Sequence, residues 1–190
     1  DSLPSTATNT PHSFDNDFDF IWNIVTDPSN DSMDIIYAAT YGSIYRSADG
    51  GASWSKSING GNAYHNNVAI TSNGVVYATL SSDGSSNGRG IWRSDDGVNW
   101  TKINDAMFPP IYARIAIGIN PLNENEIYFL AAETNGYGQR TDVFFGGETW
   151  TSLWKYEYVS GNGAGSGGVW TDLSSNIPAN NPTSFDNFNS

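Results

Sequence analysis

At 190 residues, with a net charge of −12, 14% aromatic residues and 20 glycines, the chain is long and apolar enough for a packed domain, which excludes global disorder. The acidic balance argues against nucleic acid, whose phosphates demand Lys and Arg, and against anionic lipid. There is no cysteine, hence no disulfide, zinc thiolate or thiol nucleophile, and no apolar run approaches the roughly 20 residues of a membrane-spanning helix.

Residues 1–19 read as an N-terminal tail, opening at Asp1 rather than Met as a piece of a longer chain would. Within it Asp15, Asp17 and Asp19 alternate, a spacing that can offer oxygens to Ca²⁺. A calcium hand would need Gly and Glu where this stretch has Phe20 and Thr26. The other reading is a strand with Phe14, Phe18 and Phe20 on one face and the acids in water. No other cofactor is expected. His12 and His65 lie in Asn/Ser-rich segments and read as solvated loop residues.

Residues 20–60 form a first repeat unit of four predicted strands: Phe20 to Thr26, Ile36-Tyr37-Ala38, Ile44 to Ser47 and Trp54-Ser55-Lys56. Each alternates apolar and polar side chains, the period of a half-buried strand. The last two are joined by Ser47-Ala48-Asp49-Gly50-Gly51-Ala52-Ser53-Trp54. Residues 61–107 repeat the unit with Asn67 to Thr71, Val76-Tyr77-Ala78, Ile91 to Ser94 and Trp100 to Ile103, its turn reading Ser94-Asp95-Asp96-Gly97-Val98-Asn99-Trp100. Ile44 and Ile91 are 47 residues apart, Trp54 and Trp100 46.

Residues 108–178 give a third unit: Ala113 to Asn120, Ile127-Tyr128-Phe129, Leu153 to Tyr156 and Trp170 to Leu173. It departs from the first two by an insert, residues 134–152. Its hairpin, Ser160 to Gly168, has no Asp at the turn position, and glycine is expected to supply the positive φ values there. The tail 179–190 contains Pro182-Thr183-Ser184-Phe185-Asp186-Asn187, echoing Pro11-His12-Ser13-Phe14-Asp15-Asn16, either by chance or as the start of another unit.

A period of 40–50 residues with four strands predicts an all-β chain of three four-stranded antiparallel propeller blades. Three blades cannot close a ring, so the chain is expected to be part of a six- to eight-bladed ring or of an array. Its partners are then further blades of the same polypeptide or copies of itself, the latter giving self-assembly.

The turn phrase resembles the Asp-box, or BNR, repeat. Ser47, Asp49, Gly51, Ser53 and Trp54 match it with Ser for Thr; Ser94, Asp96, Gly97 and Trp100 match a version one residue shorter. Sialidases, xyloglucanases, sortilin-type receptors and bacterial surface proteins share such blades. Leu153-Trp154-Lys155-Tyr156 before a Gly-rich hairpin looks like large secreted proteins of Bacteroidetes-type bacteria. The resemblance implies an extracellular or cell-surface location in a bacterium, and a structural role for the box residues on the face away from any catalytic centre. It also implies candidate O-glycosylation at Ser2 and Ser32, in Asp1-Ser2-Leu3 and Asp31-Ser32-Met33.

The sialidase pattern needs an arginine triad. Arg46 and Arg93 occupy matching repeat positions and read as structural, whereas Arg114, at the start of a predicted innermost strand, is the best single ligand candidate. No catalytic residue is assigned. The insert mixes rings with both charges in Tyr137, Arg140, Asp142, Glu148 and Trp150, a set suited to a sugar or an exposed peptide. The expected function is a non-catalytic secreted or surface propeller segment, a structural or adhesion scaffold or a glycan- or protein-binding module. The alternative is a partial propeller of an extracellular sialidase- or xyloglucanase-like glycoside hydrolase.

Overall fold

In the computed structural model, residues 17–83, 87–142 and 148–178 are described, 141, 142 and 148 by their backbone. The first sheet is β1 (Ile21–Thr26), β2 (Ile36–Thr40), β3 (Ser43–Ser47) and β4 (Ser55–Asn59); the second is β5 (Asn66–Ile70), β6 (Val76–Leu80), β7 (Gly90–Ser94) and β8 (Thr101–Lys102). Both are antiparallel meanders in sequence order. The third contains β9 (Ile115–Ile119), β10 (Glu126–Ala132), β12 (Glu148–Tyr158) and β13 (Gly168–Asp172), with β11 (Gln139–Asp142) as an extra strand on the far end of β12. The insert is therefore not an irregular loop but a β11–β12 hairpin that prolongs the third sheet.

The sheets stand side by side with their first strands adjacent, β1 against β5 and β5 against β9. Alternation sends one face of each sheet into the gap before it and the other into the gap after it. Two cores result. Between sheets one and two lie Tyr37, Ala39, Ile44 and Ile58 against Val68, Val76, Ala78 and Leu80. Between sheets two and three lie Tyr77, Ile91 and Ile103 against Ile127, Phe129, Trp154 and Tyr156.

The hairpins lock these gaps. Asp49 accepts from Ser53 N (2.8 Å) and Ser53 Oγ (2.5 Å), and from Ser47 Oγ (2.7 Å). Asp96 accepts from Asn99 N (2.7 Å), Asn99 Nδ2 (2.7 Å) and Val98 N (2.8 Å). Gly97 O accepts from Ser57 Oγ across the gap (2.6 Å), and Trp100 Nε1 donates to that same hydroxyl (2.9 Å). One sheet later, Trp170 Nε1 donates to Ile103 O (2.9 Å). Trp54 has no preceding sheet in the structure, and its N–H turns back to Gly51 O (3.1 Å). The third hairpin holds its turn with Gly161, Gly163 and Gly165, all at positive φ.

These hydrogen bonds hold both carboxylates ionised. Bonds from Ser53, then from Ser47, lower the Asp49 carboxyl to about 2; the Asn99 bonds, then that from Val98, lower Asp96 further. A folded pKa below the unfolded one stabilises above about pH 4 and is lost as pH falls through the folded value. Thermal melts should therefore show a gap between the parent and Asp96→Asn that is constant above about pH 5 and narrows progressively as pH falls below about 4. A gap as wide at pH 2.5 as at pH 6 would remove the carboxylate from the hairpin's stability.

Phe14 lies outside the described residues, and Phe18 and Phe20 do not share one strand face. Asp17–Asp19 form a 3-10 turn that separates the rings: Phe18 packs on Tyr45 and Trp54 (centroids 4.6 and 6.0 Å), whereas Phe20 stacks on Trp22 (5.7 Å, 9°). Among the described residues no helix is long and apolar enough to cross a membrane.

Candidate ligand-binding face

The turns linking each second strand to its third, and the segments leading into β1, β5 and β9, share the end of the sheets opposite the Asp-Gly hairpins. Residues from all three sheets meet there. An irregularity in β1 pairs Ile21 with Thr40 but Asn23 with Ala39, so Trp22 is an extra residue, and such bulges redirect a side chain. Asn23 then stitches β1 to β5, donating from Nδ2 to Val68 O (2.6 Å) and accepting from Val68 N (3.2 Å).

Trp22 lies across the junction. Its Nε1 donates to Tyr64 O (2.8 Å), its ring packs on His65 (4.9 Å), and the Arg114 guanidinium sits 5.7 Å from the ring centroid. Tyr64 stacks on Tyr41 (5.3 Å, 14°). Burial, then the neighbouring Tyr64, raises the Tyr41 phenol above its ordinary value. Phe20 and Tyr64 remain over 40% exposed, so the two stacked pairs form an open aromatic ledge.

A polar clamp underlies the ledge. Asp83, in the β6–β7 connection, accepts from Ser81 Oγ and Tyr64 N (3.1 Å), and its other oxygen lies 2.8 Å from His65 Nδ1. His65 N in turn donates to Ser81 Oγ (3.0 Å). An Nδ1–H held by a carboxylate leaves Nε2 as the acceptor of the neutral ring. His65 is thus not a solvated loop residue. It was unreadable as more because Asp83, Trp22 and Arg114 are distant in sequence.

The structure divides the predicted site residues. Arg114, exposed and one residue before β9, belongs to the ledge. Its backbone oxygen accepts from Ala132 N (2.9 Å), at the root of the insert. In the insert, Arg140 pairs across the strands with Trp150 and Asp142 with Glu148; Tyr137 is in the exposed turn before β11.

Arg46 and Arg93 are structural, as their repeat positions predict. Arg46 Nε donates to Tyr37 Oη (3.4 Å); Arg93 is buried, bonds Asp95 (2.7 Å) and lies 4.1 Å from the Tyr158 centroid. Of the acidic triplet, Asp15 lies outside the described residues, and Asp17 is held by Lys56 Nζ (2.8 Å) and Tyr45 Oη (3.0 Å). No group of three His, Cys, Asp or Glu side chains suited to a metal occurs among the described residues. Ser2 lies outside them too; Ser32 is exposed and its hydroxyl donates to Asn30 Oδ1 (3.0 Å).

Neither the family models nor the curated proteins give a match. Among solved structures, the chain is similar to the crystal structure of a Niastella koreensis GH74 enzyme, at 22% identity and a TM-score of 0.53, over 80% of this chain and 22% of that one. The fold is propeller-like. The chain spans less than a quarter of that enzyme's length, and at such identity the likeness concerns architecture.

Proposed function

We propose that the chain is a non-catalytic, carbohydrate-binding segment of an extracellular bacterial propeller, its three sheets being blades of which the first two carry an Asp-box. The observation that carries this reading is the ledge itself. Trp22 and Tyr64 present ring faces beside the Arg114 guanidinium and the His65–Asp83 pair. Aromatic faces cover the apolar face of a sugar ring while adjacent charged groups bond its hydroxyls. The acids of the hairpins are committed to their own turns at the opposite end, which supports a binding rather than a hydrolytic role for this stretch. Insert residues Arg140 and Trp150, with Tyr137, flank the ledge as secondary contacts. A second reading, part of a glycoside hydrolase propeller, is favoured by the likeness to the GH74 enzyme; there the ledge serves as a subsite beside acids supplied by other parts of the protein.

The test is calorimetry with xyloglucan oligosaccharides, a probe suggested by the blades' resemblance to xyloglucanases. Trp22→Ala should weaken binding at least about tenfold, the effect of losing about 1.4 kcal/mol at a central aromatic contact, while Val98→Ala, exposed on the hairpin at the opposite end, stays within about twofold. Equal affinity in parent and Trp22→Ala would reject the ledge as the site. Release of reducing sugar by the chain alone would overturn the non-catalytic reading.

A further inference from the structure

Cross-strand register lets the three sheets be laid over one another residue by residue. In the first sheet Ile24, Ala38 and Tyr45 form a row on the face that looks back, away from the second sheet. Their counterparts are Val68, Ala78 and Trp92 in the second sheet and Ile117, Phe129 and Trp154 in the third. On the face that looks forward, Ala39 and Ile44 correspond to Thr79 and Ile91 and to Leu130 and Leu153. Each gap is a forward face closed on the next backward one, and the second and third backward rows lie in the two cores.

Two faces remain open among the described residues, the backward face of sheet one and the forward face of sheet three. Ile24 is 61% exposed where its counterpart Val68 is 1% exposed, and Leu130 is 44% exposed where Ala39 is fully buried. Sheet one nevertheless carries the side chains with which the other two cover a neighbour. Phe18 lies against Tyr45 and Trp54 at 4.6 and 6.0 Å, as Phe108 lies against Trp154 and Trp170 at 5.5 and 5.8 Å. Trp54 stands where Trp100 and Trp170 stand. Those two donate from Nε1 to Ser57 and Ile103, each one residue past the strand partner of Tyr45 or Trp92 in the preceding sheet. The same position in sheet three, one past the partner of Trp154, is Leu173.

We infer that the forward face of sheet three receives the backward face of sheet one from a second copy of this chain, head to tail. The argument is continuity with the two gaps that the sequence already builds. One chain carries both the face to be covered and a face of the kind that covers it. In the assembly, Ile24 of the copy joins Leu130 and Leu153 as Val68 joins Ala39 and Ile44 in the first core. Phe18 enters the gap from the connecting segment as Phe108 enters the second core, and Trp54 Nε1 exchanges Gly51 O for the Leu173 position. The contact joins two different faces, so it is heterologous, and successive copies close a ring or extend a filament.

Sedimentation of the full chain tests this. The parent should form species larger than 20.6 kDa, in a share that rises with concentration. Ile24→Glu spoils one face and Leu130→Glu the other; both side chains are exposed, so the fold tolerates the charge. Each variant alone should stay at 20.6 kDa. An equimolar mixture should form a complex of one copy of each and nothing larger, since a single intact pair of faces remains. A parent that stays monomeric at about 1 mM, the Kd of a weak contact, would overturn the inference. So would a mixture that stays monomeric, or self-association of either variant, which would mean that like faces pair or that other surfaces join the copies.

Discussion

Gly97→Ala should cost about 2–5 kcal/mol, and Gly50→Ala, at the matching turn of the first hairpin, only about 1–2. Both glycines hold left-handed backbone, φ +67° and +69°, and forcing an L side chain there costs about 1–2 kcal/mol. Their surroundings differ. At Gly50 an added Cβ meets the Asp34 carboxylate at an ordinary 3.5 Å, whereas at Gly97 it overlaps the Tyr37 phenol. That phenol is buried between two sheets, so the clash becomes overpacking of a core, about 1–3 kcal/mol more. Urea unfolding at unchanged m-value measures both. Equal losses would mean that the second hairpin does not rest on the first sheet.

Trp170→Ala should destabilise by about 3–5 kcal/mol, the range for removing a large ring from a core. Its indole touches Phe108, Phe129, Trp154 and Tyr156 at centroid distances of 5.8, 5.4, 6.4 and 5.0 Å, and its N–H ties β13 to the preceding sheet through Ile103 O. Trp54 stands at the same repeat position but closes on its own hairpin, so Trp54→Ala should cost less than half as much. The pair separates a ring that locks two sheets from one that only caps a turn. A loss below about 1 kcal/mol for Trp170→Ala would remove the ring from the inter-sheet core.

The repeat was legible because it is local. Alternation of apolar and polar residues, and the Ser-x-Asp-Gly phrases, are set within eight or nine residues by strand pairing and by a carboxylate bonding its own turn. The structural roles of Arg46 and Arg93 followed from their equivalent positions. The ledge was only partly legible. Arg114 could be singled out because it starts an innermost strand, but its partner Trp22 is 92 positions away and is redirected by a bulge that no composition signals. His65 and Asp83 are 18 residues apart and become a pair only when β5 and β6 are side by side. The insert was misleading in the opposite direction. Its mixture of rings and charges suggests one site, yet strand pairing sets Arg140 beside Trp150 and leaves Arg114 with the ledge.

The indole N–H resonances of the seven tryptophans distinguish ligand contact from packing between sheets in one titration. With xyloglucan oligosaccharide added to the full chain, the Trp22 signal should shift while those of Trp92, Trp100, Trp154 and Trp170, enclosed between sheets, stay in place. A saturable shift at Trp150 with Trp22 unmoved would transfer the binding site to the insert, and no shift at any indole would contradict carbohydrate binding by this face.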